Sequence, residues 1–327
     1  MERRYVRFIY NPFSGENKIL NNLDYIIESY QAHGYTIVPF RLTQECTVEK
    51  AFDNIDIGYH HILAAGGDGT VNLVVNEMKK RGIDIPLAVL PAGTANDFAK
   101  LLGHSANIKK ACEEILEGEE KRIDIGLAND TYFVNVLSAG LFTDISQKTP
   151  TALKNTFGKL AYYVTSYISS IQELPNFKKI HIKIDSNDLL YDDHALLIFV
   201  FNGRTAGNMN FAYCSDVQDG LFDILIIKGD NIADTFKTAF HFFMGKENEY
   251  PRGVVHFKSK ELVFSSDDGL TVDIDGEGGP TVPIHISCIK DGLRVIMPKE
   301  QAEDEEEEKP EERSHRRRHR KTEKEKQ

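Results

Sequence analysis

Gly66, Gly67, Asp68, Gly69 and Thr70 put three glycines, one carboxylate and one hydroxyl into five consecutive positions. Glycine has no Cβ, so backbone N–H groups in such a turn can point at an anion and approach it closely. The apolar run 62–65 before the turn reads as a buried strand of a parallel sheet, and 71–80 after it is helix-compatible. The N-terminus of that helix adds partial positive charge facing the turn. The pattern is that of a phosphate cradle. It lacks the lysine of the Gly-x-x-x-x-Gly-Lys-[Ser/Thr] motif, which occurs nowhere in the chain. Taken alone, Gly-Gly-Asp-Gly fits a tight strand-to-helix turn equally well.

Four other clusters give the turn company. They are Asn11-Pro12-Phe13-Ser14-Gly15; Gly93-Thr94-Ala95-Asn96-Asp97-Phe98-Ala99; Arg122-Ile123-Asp124-Ile125-Gly126; and Asp273-Ile274-Asp275-Gly276-Glu277. Thr94 or Asn96 is placed to cap a helix, with Asp97 facing a cleft. Each cluster by itself reads as a cap, a turn or a solvated acid. In this order and at these spacings, chance is a poor explanation for the set.

The elements that must position these residues alternate. Strands are predicted at 5–10, 35–41, 61–65 and 87–90, and helices at 18–33, 47–54, 70–81, 96–102 and 107–117. A repeated β-loop-α pattern predicts a mostly parallel, doubly wound sheet with helices on both faces. Ligands bind such sheets at the carboxyl ends of the strands. The loops at 11–15, 43–46, 66–70 and 91–97 share that edge. Beyond about 127 the character changes. Strand-like runs follow at 131–137, 179–185, 194–201, 222–228, 253–257, 260–264, 271–275, 284–288 and 293–297, with helical stretches only near 153–173 and 231–244. The expected organisation is an α/β domain at 1–127, a mainly antiparallel β-sandwich domain at 128–298 and a disordered charged tail at 299–327.

Composition narrows the function classes. A length of 327 residues suits two domains, and a net charge of −11 argues against general nucleic-acid binding, which needs clustered Lys and Arg. Cys46, Cys112, Cys214 and Cys288 form no Cys-x-x-Cys pair, so neither a zinc site nor a disulfide framework is suggested and a reducing cytoplasm fits. The longest apolar run, 195–201, is far short of the roughly 20 residues that span a bilayer. The N-terminal apolar stretch, broken by Arg7 and stopped by Pro12, is too short for a signal peptide. A soluble protein is expected. In the tail, 10 Lys and Arg stand against 11 Asp and Glu, with the acids first and the bases after. It reads either as a solvated tail whose halves neutralise each other or as a polybasic arm for anionic lipid.

With these motifs the chain resembles the bacterial soluble diacylglycerol kinases, in a group that includes sphingosine and ceramide kinases and, more distantly, NAD kinases. The resemblance covers nearly all of 3–298. Gly-Thr-Ala-Asn-Asp-Phe-Ala at 93–99 belongs to the lipid-kinase side, since NAD kinases share only the glycine turn. It implies an ATP-dependent lipid kinase with its active site between a nucleotide-binding domain and a β-sandwich domain. Position by position, it implies an ATP site of Asn11, Thr43, Gly66, Gly67, Asp68, Gly69, Thr70 and Thr94. Glu277 matches the general base for the lipid hydroxyl. Asp68, Asp97 and Asp124 match acids linked to a water and Mg2+ network. Asp216, Asp219 and Leu221 match a structural Mg2+ site in which main-chain carbonyls also coordinate. Three departures stand out: Leu73 replaces a usual Glu, Lys18 is displaced in the first loop, and the Tyr213-Cys214 segment lacks a proline.

The implied reaction phosphorylates the primary hydroxyl of diacylglycerol to phosphatidic acid. Open alternatives are another lipid alcohol (a sphingoid base, ceramide or phosphatidylglycerol), a nicotinamide-nucleotide kinase, or a catalytically idle nucleotide- or lipid-binding regulator. The expected setting is cytoplasmic, peripheral to the inner face of the membrane, with ATP and Mg2+ and no nucleic acid; the family often forms homodimers. Phe157, Tyr162, Tyr163 and Tyr167, and separately Phe236, Phe240, Phe243 and Met244, recur at helical spacing. They read as core packing or as a face presented to lipid, the second set being flanked by Lys237 and Lys246.

Overall fold

The computed structural model describes residues 4–15, 17–53, 55, 58–140, 179–206, 209–228, 250–251 and 253–299. The two aromatic sets and the charged tail lie outside these residues.

The first half winds as the alternation requires. β1 (Arg4–Tyr10), α1 (Leu23–Ala32), β2 (Tyr35–Arg41), α2 (Val48–Ala51), β3 (Tyr59–Gly66), α3 (Asp68–Lys80) and β4 (Leu87–Pro91) follow in order. β1 pairs in parallel with both β2 and β3, and β3 with β4. β3 and β4 read as continuous apolar runs because both sheet faces are covered. Ile62 and Ala64 pack with Val71, Val74 and Val75 of α3, whereas Leu63 and Ala65 pack with Ile26 and Tyr30 of α1. Each buried Ile, Leu or Val among them contributes about 1.5–3 kcal/mol. α4 (Asp97–Leu101) and α5 (Ile108–Glu117) complete the helical cover; Asn107 caps α5 by accepting from the amides of Lys109 and Lys110.

The remaining chain is largely antiparallel. β5 (Glu119–Ala128), β6 (Thr131–Phe133) and β7 (Val136–Gly140) come first, then β8 (Ile180–Asp185), β9 (Leu190–Ala195), β10 (Leu197–Phe201), β11 (Thr205–Ala206), β12 (Met209–Asn210) and β13 (Phe222–Ile227). They are followed by β14 (Val254–Ser259), β15 (Glu261–Ser265), β16 (Thr271–Ile274), β17 (Glu277–Thr281) and β18 (Ile284–Met297). One sheet runs β14-β13-β10-β7-β16-β17 and packs against the strands around β15 and β8. β10 is apolar at every position because Ile198 and Val200 enter the sandwich while Leu197, Phe199 and Phe201 pack with Phe211 in a second cluster.

The predicted strands at 284–288 and 293–297 are one 14-residue strand, β18. Its end pairs in parallel with β4 and its length pairs with β5, so the C-terminal strand continues the first sheet into the second half. β5 was not anticipated as a strand. Its first four residues are charged and mostly exposed, so they carry no apolar period, and their partners on β18 lie more than 170 positions away. The predicted strand 131–137 is interrupted at Val134 and Asn135, whose amides turn to a side chain instead of a neighbouring strand. Among the described residues no helix is long and apolar enough to cross a membrane.

Candidate active site

The carboxyl ends of β1, β3 and β4 bring three of the motifs together. The Asn11 amide N–H donates to the Ala65 carbonyl at 2.9 Å, and its side-chain amide reaches Thr70 Oγ1 at 3.4 Å. Gly67 caps α3, its carbonyl accepting from Thr70 and Val71 at 2.9 and 3.1 Å. The second loop lies against the first so closely that a Cβ on Gly93 would fall 2.4 Å from Gly67 Cα. Only two glycines permit that approach. Asn96, left-handed at φ 52°, accepts from the Gly93 amide at 2.6 Å and donates back to the Gly93 carbonyl at 2.9 Å.

Asp68 spans the two loops. It opens α3, and its Oδ1 accepts from the Phe98 amide in the first turn of α4 at 3.1 Å. Burial, with Asp97 and Asp275 nearby as like charges, pushes its pKa up to about 6. Asp97 is buried and accepts from Thr205 Oγ1 at 3.0 Å. Asp97 acts on Asp68 as a like charge, so the two carboxylates share one region of the site.

Glu277 enters from the second half of the chain. It follows a turn in which Asp275 and Gly276 have φ 48° and 84°. Its carboxylate lies over the glycine turn, with Oε1 3.2 Å from where a Cβ on Gly69 would sit. Asp275 is a brace for that hairpin. It accepts from the Val134, Asn135 and Val136 amides at 2.8, 3.0 and 2.9 Å and from Asn72 Nδ2 at 2.8 Å. Burial raises its pKa, and the four N–H bonds oppose that rise.

Other expected site residues fall elsewhere or take structural contacts. Thr94 is exposed in the second loop. Thr43 lies in the loop after β2, where its hydroxyl accepts from the Cys46 amide at 2.9 Å. Asp124 is fully buried and sits with the 215–221 loop, accepting from the Gly220 amide at 2.6 Å and the Asp291 amide at 2.8 Å. Burial raises its pKa as well. Asp216 and Asp219 lie in that loop and Leu221 ends it, apart from the Asp68 and Asp97 pair.

Sequence reasoning missed a layer of asparagines behind the site. Asn76 bonds Asn72, both donate to the Tyr132 carbonyl, and Asn76 Oδ1 accepts from the Tyr132 amide. Asn202 donates to the Asp124 and Val134 carbonyls, and Asn135 to the Thr205 carbonyl beside the hydroxyl that meets Asp97. The available signal was polar residues at i and i+4 on the buried face of α3 and at the ends of apolar strands.

A glycine-built anion cradle at parallel strand ends, roofed by a hairpin that brings a carboxylate, defines a phosphotransferase cleft. The diacylglycerol kinase catalytic domain matches residues 5–128, and the YegS C-terminal NAD kinase beta sandwich-like domain matches 135–297. A Bacillus subtilis (strain 168) diacylglycerol kinase is 30% identical over 304 residues, covering 91% of this chain and 97% of that one. One from Staphylococcus saprophyticus is 29% identical, covering 93% and 98%. A solved diacylglycerol kinase structure from Bacillus anthracis str. Sterne superposes with a TM-score of 0.72 at 25% identity, covering 90% of this chain and 97% of that one. The chain belongs to the diacylglycerol kinase family and is an ATP-dependent lipid kinase.

Proposed function

We propose that this protein transfers the γ-phosphoryl group of ATP to the primary hydroxyl of diacylglycerol, giving phosphatidic acid and ADP. The observation that carries the reading is the Glu277 carboxylate lying over Gly69, at the rim of the phosphate cradle. The names of the relatives support diacylglycerol as acceptor.

Phosphoryl transfer asks for positioning and charge neutralisation more than for covalent work by the protein. The backbone of Gly66, Gly67 and Gly69 and the N-terminus of α3 receive the phosphates, with Asn11 and Thr70 beside them; the resemblance adds Thr43 and Thr94 to that set. Glu277 accepts the proton of the lipid hydroxyl as the new O–P bond forms and the bond to the ADP oxygen breaks. Asp68 and Asp97 suit a hard divalent cation, because they are carboxylate oxygen donors near enough for Asp97 to act on Asp68 as a like charge. Asp68 and Asp97 would hold Mg2+, which would supply charge neutralisation for the phosphates. The lipid is reached at the inner face of the membrane by peripheral association.

The test is transfer of labelled γ-phosphate from ATP with Mg2+ in mixed micelles containing diacylglycerol, ceramide, sphingosine or phosphatidylglycerol. A dominant phosphatidic acid product is expected. A dominant product on another lipid overturns the acceptor. No product from folded protein on any of them overturns the reaction.

A further inference from the structure

The resemblance puts a structural Mg2+ on Asp216, Asp219 and Leu221, and the donor set present does not fit that ion. Asp216 Oδ1 accepts from the Gln218 amide at 3.0 Å and Asp219 Oδ1 from the Leu221 amide at 2.9 Å. Asp219 Oδ2 accepts from the Lys258 ammonium at 2.8 Å. The same ammonium donates to the Cys214 carbonyl at 3.1 Å and stands 3.4 Å from Asp223 Oδ2. Mg2+ demands near-octahedral oxygens at about 2.0–2.1 Å, whereas an ammonium has three N–H donors to share among oxygens near 3 Å.

We propose that Lys258 is the resident cation of the 215–221 loop, so that this chain holds with an ammonium the carboxylates that the resemblance assigns to a structural Mg2+.

The arrangement is built into the sheet. Lys258 on β14 stands directly across from Asp223 on β13, the strand the loop enters, so strand register delivers the charge. Asp223 has no solvent exposure, and its other oxygen lies 2.6 Å from His256 Nε2. A carboxylate this buried needs a counter-charge whatever the loop does. Neutralising Asp219 lets the loop close on β5, where the Gly220 amide bonds Asp124 at 2.6 Å and the Asp124 amide bonds the Val217 carbonyl at 2.7 Å. Asp124 also holds the Asp291 amide at the irregularity of β18. Lys258 is therefore a positioning residue for the junction of the two sheets.

The experiment is thermal unfolding of the full chain in EDTA and in Mg2+, without nucleotide or lipid, for wild type, Asp216→Asn, Lys258→Met and Lys258→Arg. With neither substrate present, the outcome is independent of the reaction proposed above. Wild type and Asp216→Asn are expected to respond identically to Mg2+, since the loop takes no metal. Lys258→Met is expected to melt at least about 2 °C lower in EDTA, a loss near 1 kcal/mol for a domain of roughly 150–250 residues. Lys258→Arg, which keeps the charge, is expected to recover at least half of that loss. Recovery of Lys258→Met in Mg2+ would support the proposal further, as the metal would then fill the vacated role. A wild-type rise in Mg2+ that Asp216→Asn abolishes overturns it. So does Lys258→Met melting with wild type in EDTA. If Lys258→Met fails to fold, the comparison of wild type with Asp216→Asn decides alone.

Discussion

The side-chain amide of Asn72 and the carboxylate of Asp275 meet at 2.8 Å across 203 positions of sequence. Asn72 stands in α3, four positions beyond Asp68, and Asp275 lies in the turn that delivers Glu277. The cradle and the carboxylate above it are thus registered to each other by a direct bond. Asp275 extends the registration through the Val134, Asn135 and Val136 amides, so three segments converge on one carboxylate.

Asp275→Ala leaves those amides and the Asn72 side chain without their acceptor. A buried unsatisfied donor costs about 1–3 kcal/mol, and water entering the gap recovers part of the total. The expected loss is about 3 kcal/mol in urea unfolding, with activity falling in parallel.

Glu277→Gln keeps the side chain's size and removes its basicity. The residue is exposed at the start of β17, so the melting temperature should hold. Turnover is expected to fall about 10²–10⁴-fold, the usual contribution of a general base. A variant within about tenfold of wild type would remove Glu277 from that role.

Gly93→Ala forces apart two loops whose backbones touch, since the added Cβ would fall 2.4 Å from Gly67 Cα. The nearest contact is backbone and the next is Asn96 Oδ1 at 2.9 Å, an atom held by the Gly93 amide, so the loops must move, at a cost of about 1–3 kcal/mol. Calorimetry with a non-hydrolysable ATP analogue should show affinity weakened at least about tenfold, or 1.4 kcal/mol.

Asp68 carries a pH signature. Its pKa is pushed up to about 6 in the folded protein, above the unfolded carboxylate range near 4. Between those values the folded state binds the extra proton, so this group's contribution to stability falls as pH rises from about 4 to about 6. At neutral pH the buried charge is a net cost, of order 2 kcal/mol. Asp68→Asn, which still accepts from the Phe98 amide, is therefore expected to exceed wild type in urea midpoint at pH 7. The gap should shrink as pH falls through about 6 and close only below about pH 4. A gap unchanged between about pH 7 and about pH 4 would contradict the assignment.

The α/β half and its site edge were legible because their signals are local. Apolar runs at 62–65 and 87–90 followed by turn residues mark parallel strands buried on both faces, and each glycine turn sits where such a strand ends. β5 and the full length of β18 were not legible. A strand that begins Glu-Glu-Lys-Arg is stabilised by its partner and carries no pattern of its own.

The sequence by itself offered the residue types: glycines 66, 67 and 69 around Asp68, an acid at 97 and another at 277. These residue types do their work through backbone access and charge, which composition over a few positions specifies. Only the tertiary structure decided the roles within the acidic clusters. Asp275, next to a candidate base in sequence, is consumed by four N–H donors, while Glu277 two positions on is set over Gly69. Likewise Lys258 meets Asp219 and Asp223 because β14 and β13 pair in that register. Strand alternation and register set which partner a side chain meets, and register depends on contacts between segments far apart in the chain.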